Sequence, residues 1–161
     1  MEGRIYYNPQ KGGIRMKIVI GCDHGALALK ESVKKVLAEL GAEIDDVGTY
    51  TEDSVDYPDI AEKVCEKVVS GSAERGVVLC GTGIGISIAA NKIRGIRCAL
   101  CSEAYSARMA RAHNNSNVLA LGGRVLGPEL AGDIVRTFFT QNFEGGRHER
   151  RVGKIIALEN K

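Results

Sequence analysis

The chain has 161 residues and a formal net charge of +2, a length that suits one domain with a sizeable core, since such chains bury roughly 70% of their unfolded surface. So balanced a charge provides no polyanion-binding surface, and nucleic acid is not an expected partner. No apolar run approaches the roughly 20 residues of a membrane span, and the first residues lack the apolar segment of a secretory leader, so no membrane partner and a cytoplasmic location are expected.

Residues 1–15 carry Asn8-Pro9 and Gly12-Gly13 without periodicity and read as an N-terminal extension with no catalytic duty; Met16 is a candidate start, and residues 16–161 a single domain. Residues 17–22 predict a first strand. A helix follows with Leu29, Val33, Val36, Leu37 and Leu40 on one face and a stop at Gly41. Residues 44–47 give a weaker second strand, followed by a polar loop over 48–55. Tyr57 should be extended, because a proline follows it. Pro58 and Asp59 suit the first turn of a helix that runs toward Val69 and ends near Gly71. Residues 77–80 form the third strand, 86–92 a helix and 97–101 the fourth strand. Ser102 is placed to cap a helix bearing Tyr105 and Met109, residues 118–121 make the fifth strand, and Pro128 opens the next helix. Residues 147–159 predict a last helix striped with Val152, Ile155 and Ile156.

Apolar strands alternating with helices imply an α/β fold, a parallel sheet covered on both faces by right-handed crossovers. Ligands in such folds bind outside the carboxyl ends of the strands. Asp23 and His24 follow the first strand, Cys80 ends the third and Arg124 follows the fifth. His113 and Asn114 end the fourth helix and are expected at the same rim on weaker grounds. The apolar stripe of the last helix has little left to cover it within one domain, which favours a homodimer.

The turn Cys80-Gly81-Thr82-Gly83-Ile84-Gly85 joins a thiol to a nearly bare backbone at a helix start. Alternate glycines let several N–H groups crowd one small anion, and both the amides and the helix start favour a thiolate able to act as base or nucleophile. Gly81, Gly83 and Gly85 do not complete the G-x-G-x-x-G dinucleotide pattern, because Ile86 stands where the last glycine belongs. A smaller anionic ligand fits better. His24 and His113, two of only three histidines, would supply acid-base capacity near neutral pH. No pair among Cys80, His24 and His113 shows a metal-site spacing, so no metal is expected. Arg147 and Arg151, four apart on a helix, share a face suited to a phosphate. Tyr57 either lines the pocket or packs. The five cysteines read as free thiols. Cys98 and Cys101 should project from opposite faces of a strand, Cys65 belongs to a core stripe, and Cys22 ends a strand that would lie beside Cys80.

In combination Gly21-Cys22-Asp23-His24, Asp56-Tyr57-Pro58, Cys80 through Lys92, His113-Asn114-Asn115 and Gly145-Gly146-Arg147-His148-Glu149-Arg150-Arg151 make the chain resemble type B ribose-5-phosphate isomerases, within the group that includes galactose-6-phosphate isomerase subunits. The likeness extends from Met16 to about Glu159. It implies a Rossmann-like three-layer sandwich on a five-stranded parallel sheet, a C-terminal helix used in dimerisation, sites between two subunits, and no cofactor. It further implies a sugar-phosphate substrate, interconversion of ribose 5-phosphate and ribulose 5-phosphate, and a homodimer, with a tetramer of such dimers as the alternative. By motif position Cys80 is the base that moves a proton between carbons 2 and 1, His113 the acid that opens the furanose ring, and Thr82 stands with them as catalytic. Asp23, His24, Tyr57, Asn114, Arg124, Arg147 and Arg151 match substrate contacts. The N–H groups of Gly81, Thr82, Gly83, Ile84 and Gly85 match the hole for the enediolate. Members with serine at the Cys80 position use a nearby glutamate, whereas this loop carries Ile86-Ser87 and no carboxylate. The alternatives are an isomerase of a hexose 6-phosphate such as allose or galactose 6-phosphate, a hydrolase built on Cys80, His113 and Asp23, and a binding module without turnover.

Overall fold

A computed structural model describes residues 12–161. Five strands, β1 (Lys17–Cys22), β2 (Glu43–Asp46), β3 (Arg75–Cys80), β4 (Cys98–Leu100) and β5 (Val118–Gly122), alternate with α1 (Leu27–Glu39), α2 (Tyr57–Val69), α3 (Ile84–Ala90), α4 (Ala104–Ala112), α5 (Pro128–Thr140) and α6 (Arg147–Leu158). The sheet is parallel throughout, in the order β2-β1-β3-β5-β4. Each strand points alternate side chains to opposite faces. Ile18, Ile20, Val77, Leu79, Leu119 and Leu121 accordingly meet α1, α4 and α5 on one side. Val19, Val78, Cys80, Val118 and Ala120 meet α2 and α3 on the other. These are the three layers of the expected α/β sandwich.

Several boundaries move for identifiable reasons. Ile14, ahead of the expected start at Met16, is buried among the α1 and α5 side chains, and its N–H bonds the Leu40 carbonyl. The rest of the expected extension, residues 1–11, lies outside the described residues. The fourth helix is capped by Glu103, whose carboxylate accepts the Ser106 N–H at 2.8 Å, rather than by Ser102. Tyr57 is not the extended residue: Asp56 is (φ −80°, ψ 117°), and Tyr57 already opens α2. A following proline disfavours helical backbone without forbidding it, and at this depth in the first turn Pro58 has no N–H to miss. Helix α3 starts at Ile84, two residues before the expected Ile86, because Gly83 at φ +77° turns the chain directly out of the strand. It ends at Ala90, where Asn91 instead bridges to Cys98 through both side-chain atoms.

Gly41 and Gly71, at φ +87° and +78°, close the segments after α1 and α2 as their positions predict. On α6 Val152 is buried while Ile155, Ile156 and Leu158 are exposed, as are Ile84 and Ile88 of α3 and Leu100 on the β4 edge. No helix among the described residues is long and apolar enough to cross a membrane.

Candidate active site

The strand order reverses direction after β2, which leaves a crevice between the carboxyl ends of β1 and β3, the position where this architecture takes ligands. Asp23 and His24 leave β1 there and Cys80 ends β3. Three loops are tied together at this rim: the Asp23 N–H bonds the Leu79 carbonyl, Gly123 N–H that of Cys80, and Arg124 N–H that of Gly81. The buried Asp23 carboxylate accepts the Gly25 N–H at 2.8 Å, and the Arg124 guanidinium lies against Gly81.

Cys80 Sγ is 5% exposed and accepts the Gly83 N–H at 3.1 Å. The amides are apportioned rather than pooled: Gly83 serves the sulfur, while Ile84 donates to Thr82 Oγ1 at 3.2 Å. A side chain at Gly83 is impossible without movement, since its Cβ would stand 2.6 Å from Leu100 Cδ1 and 2.8 Å from the Leu121 carbonyl carbon. Gly85 is bare for a different reason. Its Cβ would stand 2.6 Å from the ring of Tyr57, which packs on the glycine loop and leaves 39% of its surface exposed at the rim.

His24 Nδ1 accepts the Val55 N–H at 3.3 Å, which leaves Nε2 as the protonated nitrogen of the neutral ring. The 48–55 loop that supplies Val55 is pinned by a residue the sequence reading passed over. Lys30, 1% exposed, donates to Asp46 Oδ1 at 2.9 Å and to the Thr49 carbonyl at 2.7 Å, and its ammonium lies 4.8 Å from the Tyr50 ring centroid. Lys30 falls at i−3 and i−7 from Val33 and Leu37, so its place on the apolar face of α1 was the available signal.

His113, Asn114, Arg147 and Arg151 are not at this rim. Helix α4 runs back against the strands, so its end at His113 returns to the edge where they begin. There Gly76 N–H bonds the Asn117 carbonyl, and Arg97 bonds the carbonyls of Asn114 and Asn115. Cys80 pairs with Gly122 at the far end of β5. That strand separates the two edges by about 13 Å at roughly 3.3 Å per residue. The expectation of a common rim is thus corrected: within one chain Cys80 and His113 are held apart.

The amino edge has a cluster of its own. His113 and His148 stack with ring centroids 4.0 Å apart and planes 6° from parallel. Glu144 Oε2 lies 3.8 Å from His113 Nε2 and 3.7 Å from His148 Nε2. Arg147 Nε makes a long hydrogen bond of 3.5 Å to His148 Nε2. The sequence reading missed His148 as a site residue, although Glu144 and His148 four apart around Gly145-Gly146 marked a shared turn. These three ligand-type atoms lie within 4.8 Å of one another. Lone pairs lie in ring planes, however, and two parallel planes do not converge on one ion.

The remaining cysteines are set apart from the rim chemistry. Cys22 packs on the α1 side of the sheet and Cys80 on the α2 side, so the two thiols do not share a face. Burial pushes the Cys22 thiol up to about 11, Cys65 to about 12 and Cys101 to about 11, and raises Cys98 further. Cys98 and Cys101 fall on opposite faces, as their spacing predicts.

The comparisons place this parallel α/β sandwich, with its thiol-bearing glycine turn at the switch point, among sugar isomerases. The model of the Ribose/Galactose Isomerase family matches residues 18–155. The chain belongs to that family and is an isomerase. A ribose-5-phosphate isomerase B of Escherichia coli (strain K12) is 48% identical over 145 residues, covering 90% of this chain and 97% of that one. A putative sugar phosphate isomerase of Bacillus subtilis (strain 168) is 50% identical over 147 residues, 91% and 99% of the two chains. The solved structure of a Clostridium thermocellum ribose-5-phosphate isomerase B superposes with a TM-score of 0.88 at 55% identity, covering 90% and 98%.

Proposed function

We propose that the chain interconverts D-ribose 5-phosphate and D-ribulose 5-phosphate through an enediolate, in a homodimer whose sites each draw on both subunits. The observation that carries this reading is the division of the chemistry between two edges of one sheet. The carboxyl rim has Cys80, Thr82, Asp23, His24, Tyr57 and Arg124, and the amino edge has His113, Asn114, Arg147 and Arg151. A second copy brings the missing edge to each rim, and the exposed Ile155, Ile156 and Leu158 of α6 supply apolar surface for the contact. Residues 16–161 act as one domain, with no catalytic part for residues 1–15.

In the reaction His113 of one subunit protonates the ring oxygen as the C1–O4 bond breaks, the anomeric hydroxyl gives up its proton to solvent, and the furanose opens to the aldehyde. Cys80 of the other subunit, as thiolate, takes the proton from carbon 2. The electron pair forms the C1–C2 double bond and charge develops on the carbonyl oxygen. Amides of the 81–85 turn other than those of Gly83 and Ile84 stabilise that charge, which is worth about 2.7–4 kcal/mol per donor in such holes. Cys80 returns the proton to carbon 1 as the hydroxyl on carbon 2 passes its own proton to the negative oxygen on carbon 1, which leaves a hydroxyl there and a ketone at carbon 2. Arg147 and Arg151, with His24 and Arg124, hold the phosphate.

Complementation tests the shared site. C80A and H113A are each expected to be inactive, and a refolded equimolar mixture to regain about a quarter of the unaltered activity, since half the dimers are mixed and each holds one intact site. Ribulose 5-phosphate is read directly, with allose 6-phosphate as the competing substrate. A mixture as dead as its components removes the shared site, and turnover of allose 6-phosphate alone removes the pentose reading.

A further inference from the structure

His148 has no role in the reaction just described, yet it is 6% exposed while the side chain of its stacking partner His113 is 37% exposed. One ring is thus a fixed floor and the other faces outward. Two imidazolium ions stacked face to face at 4.0 Å would repel, which favours a neutral ring in the pair. The bond from Arg147 Nε needs a lone pair on His148 Nε2, which identifies His148 as that ring. The charged groups around it are His113 from α4, Glu144 from the α5–α6 loop, and Arg147 and Arg151 from α6. Burial, His113 and Arg147 lower its pKa, and Glu144 opposes them.

We propose that His148 is a positioning residue for His113, a neutral aromatic shelf that fixes the plane of the His113 ring. An imidazole delivers its proton in the ring plane, so a ring free to turn about its terminal torsion misdirects it. This inference rests on the isomerase reading, in which His113 is the ring-opening acid.

The experiment combines proton NMR of the three histidine Cε1–H signals with steady-state kinetics on ribose 5-phosphate, in the unaltered protein, H148A and H148F. H113Q identifies the His113 signal. In the unaltered protein the His113 signal is expected upfield of a free imidazole, shielded by the stacked ring. It should move downfield in H148A and stay shielded in H148F. The kcat of H148A should fall about 10- to 100-fold, the range seen when a reacting group is misplaced by an ångström. H148F should recover to within about threefold, with KM little changed in both. An unshielded His113 signal in the unaltered protein overturns the proposal and needs no variant to fold. H148F as impaired as H148A, or a loss confined to KM, overturns it as well. If the unaltered protein does not turn over ribose 5-phosphate, the isomerase reading fails, whereas the shielding still reports the stack.

Discussion

Gly83→Ala joins the conformation of the catalytic turn to its chemistry in one substitution. Alanine at φ +77° is strained by about 1–2 kcal/mol. Its methyl would also stand 2.6 Å from Leu100 Cδ1 and 2.8 Å from the Leu121 carbonyl carbon. Leu100 is half-exposed and its side chain can swing aside; the β5 backbone cannot, so the turn must lift, at about 1–3 kcal/mol for overpacking of this kind. The total, about 2–5 kcal/mol, leaves a typical domain folded but moves its urea midpoint down by about 1–2 M. Lifting the turn also withdraws the Gly83 N–H from Cys80 Sγ. The sulfur then loses the contact that fixes it, and misplacing a reacting group by about an ångström lowers kcat by about 10²-fold. Gly81→Ala is the comparison, since its methyl would meet only the end of the Arg124 side chain at 3.3 Å and should leave the midpoint nearly unchanged. The assays are urea unfolding and ribulose 5-phosphate formation. A destabilised Gly83→Ala protein that keeps kcat within about threefold would refute the role given to the amide. An unchanged midpoint would refute the packing of the turn against β5.

Other expectations are independent of that turn. C80A should retain ribose 5-phosphate binding by calorimetry while losing isomerisation, because a proton-transferring group acts on the chemical step; substantial turnover would end its candidacy as the base. Iodoacetamide at pH 7 should label Cys80 before the others, since burial keeps the Cys22, Cys65, Cys98 and Cys101 thiols protonated, and peptide mapping that finds Cys22 first would contradict the opposite-face placement. H113A should impair ribose 5-phosphate turnover more than that of a four-carbon aldose 4-phosphate, which has no hydroxyl placed to close a furanose; equal losses would deny a ring-opening role. K30M should cost about 3–5 kcal/mol by stranding part of the Asp46 charge. Burial pushes the Asp46 pKa up, but hydrogen bonds from Lys34, Lys30 and Gly48 hold it below the ordinary value. The stability it confers is therefore present above about pH 4 and lost as pH falls through the native value. Urea midpoints at pH 7 and pH 3 should differ less in K30M than in the unaltered protein, and an equal difference would set the argument aside.

The alternation of strands and helices was legible because the strands other than β2 are short apolar runs and the first two helices carry their own stops at Gly41 and Gly71. The turn at Cys80 was legible for the same local reason. What local pattern did not give was direction across the sheet. A helix after a parallel strand must run back, so the end of α4 was bound for the amino edge, yet proximity in composition placed His113 beside Cys80. Capping by Glu103 rather than Ser102 was a choice between adjacent acceptors that only the entry angle of the helix decides. Lys30 and His148 went unread because both are ordinarily surface residues, and their burial depends on partners 16 residues away at Asp46 and 35 away at His113.

The split between the two sheet edges makes dilution an inhibitor under the proposed assembly. A lone subunit would carry a base without its acid at one end and an acid without its base at the other. Specific activity should then track the fraction of paired subunits, so that catalysis itself reports the association constant.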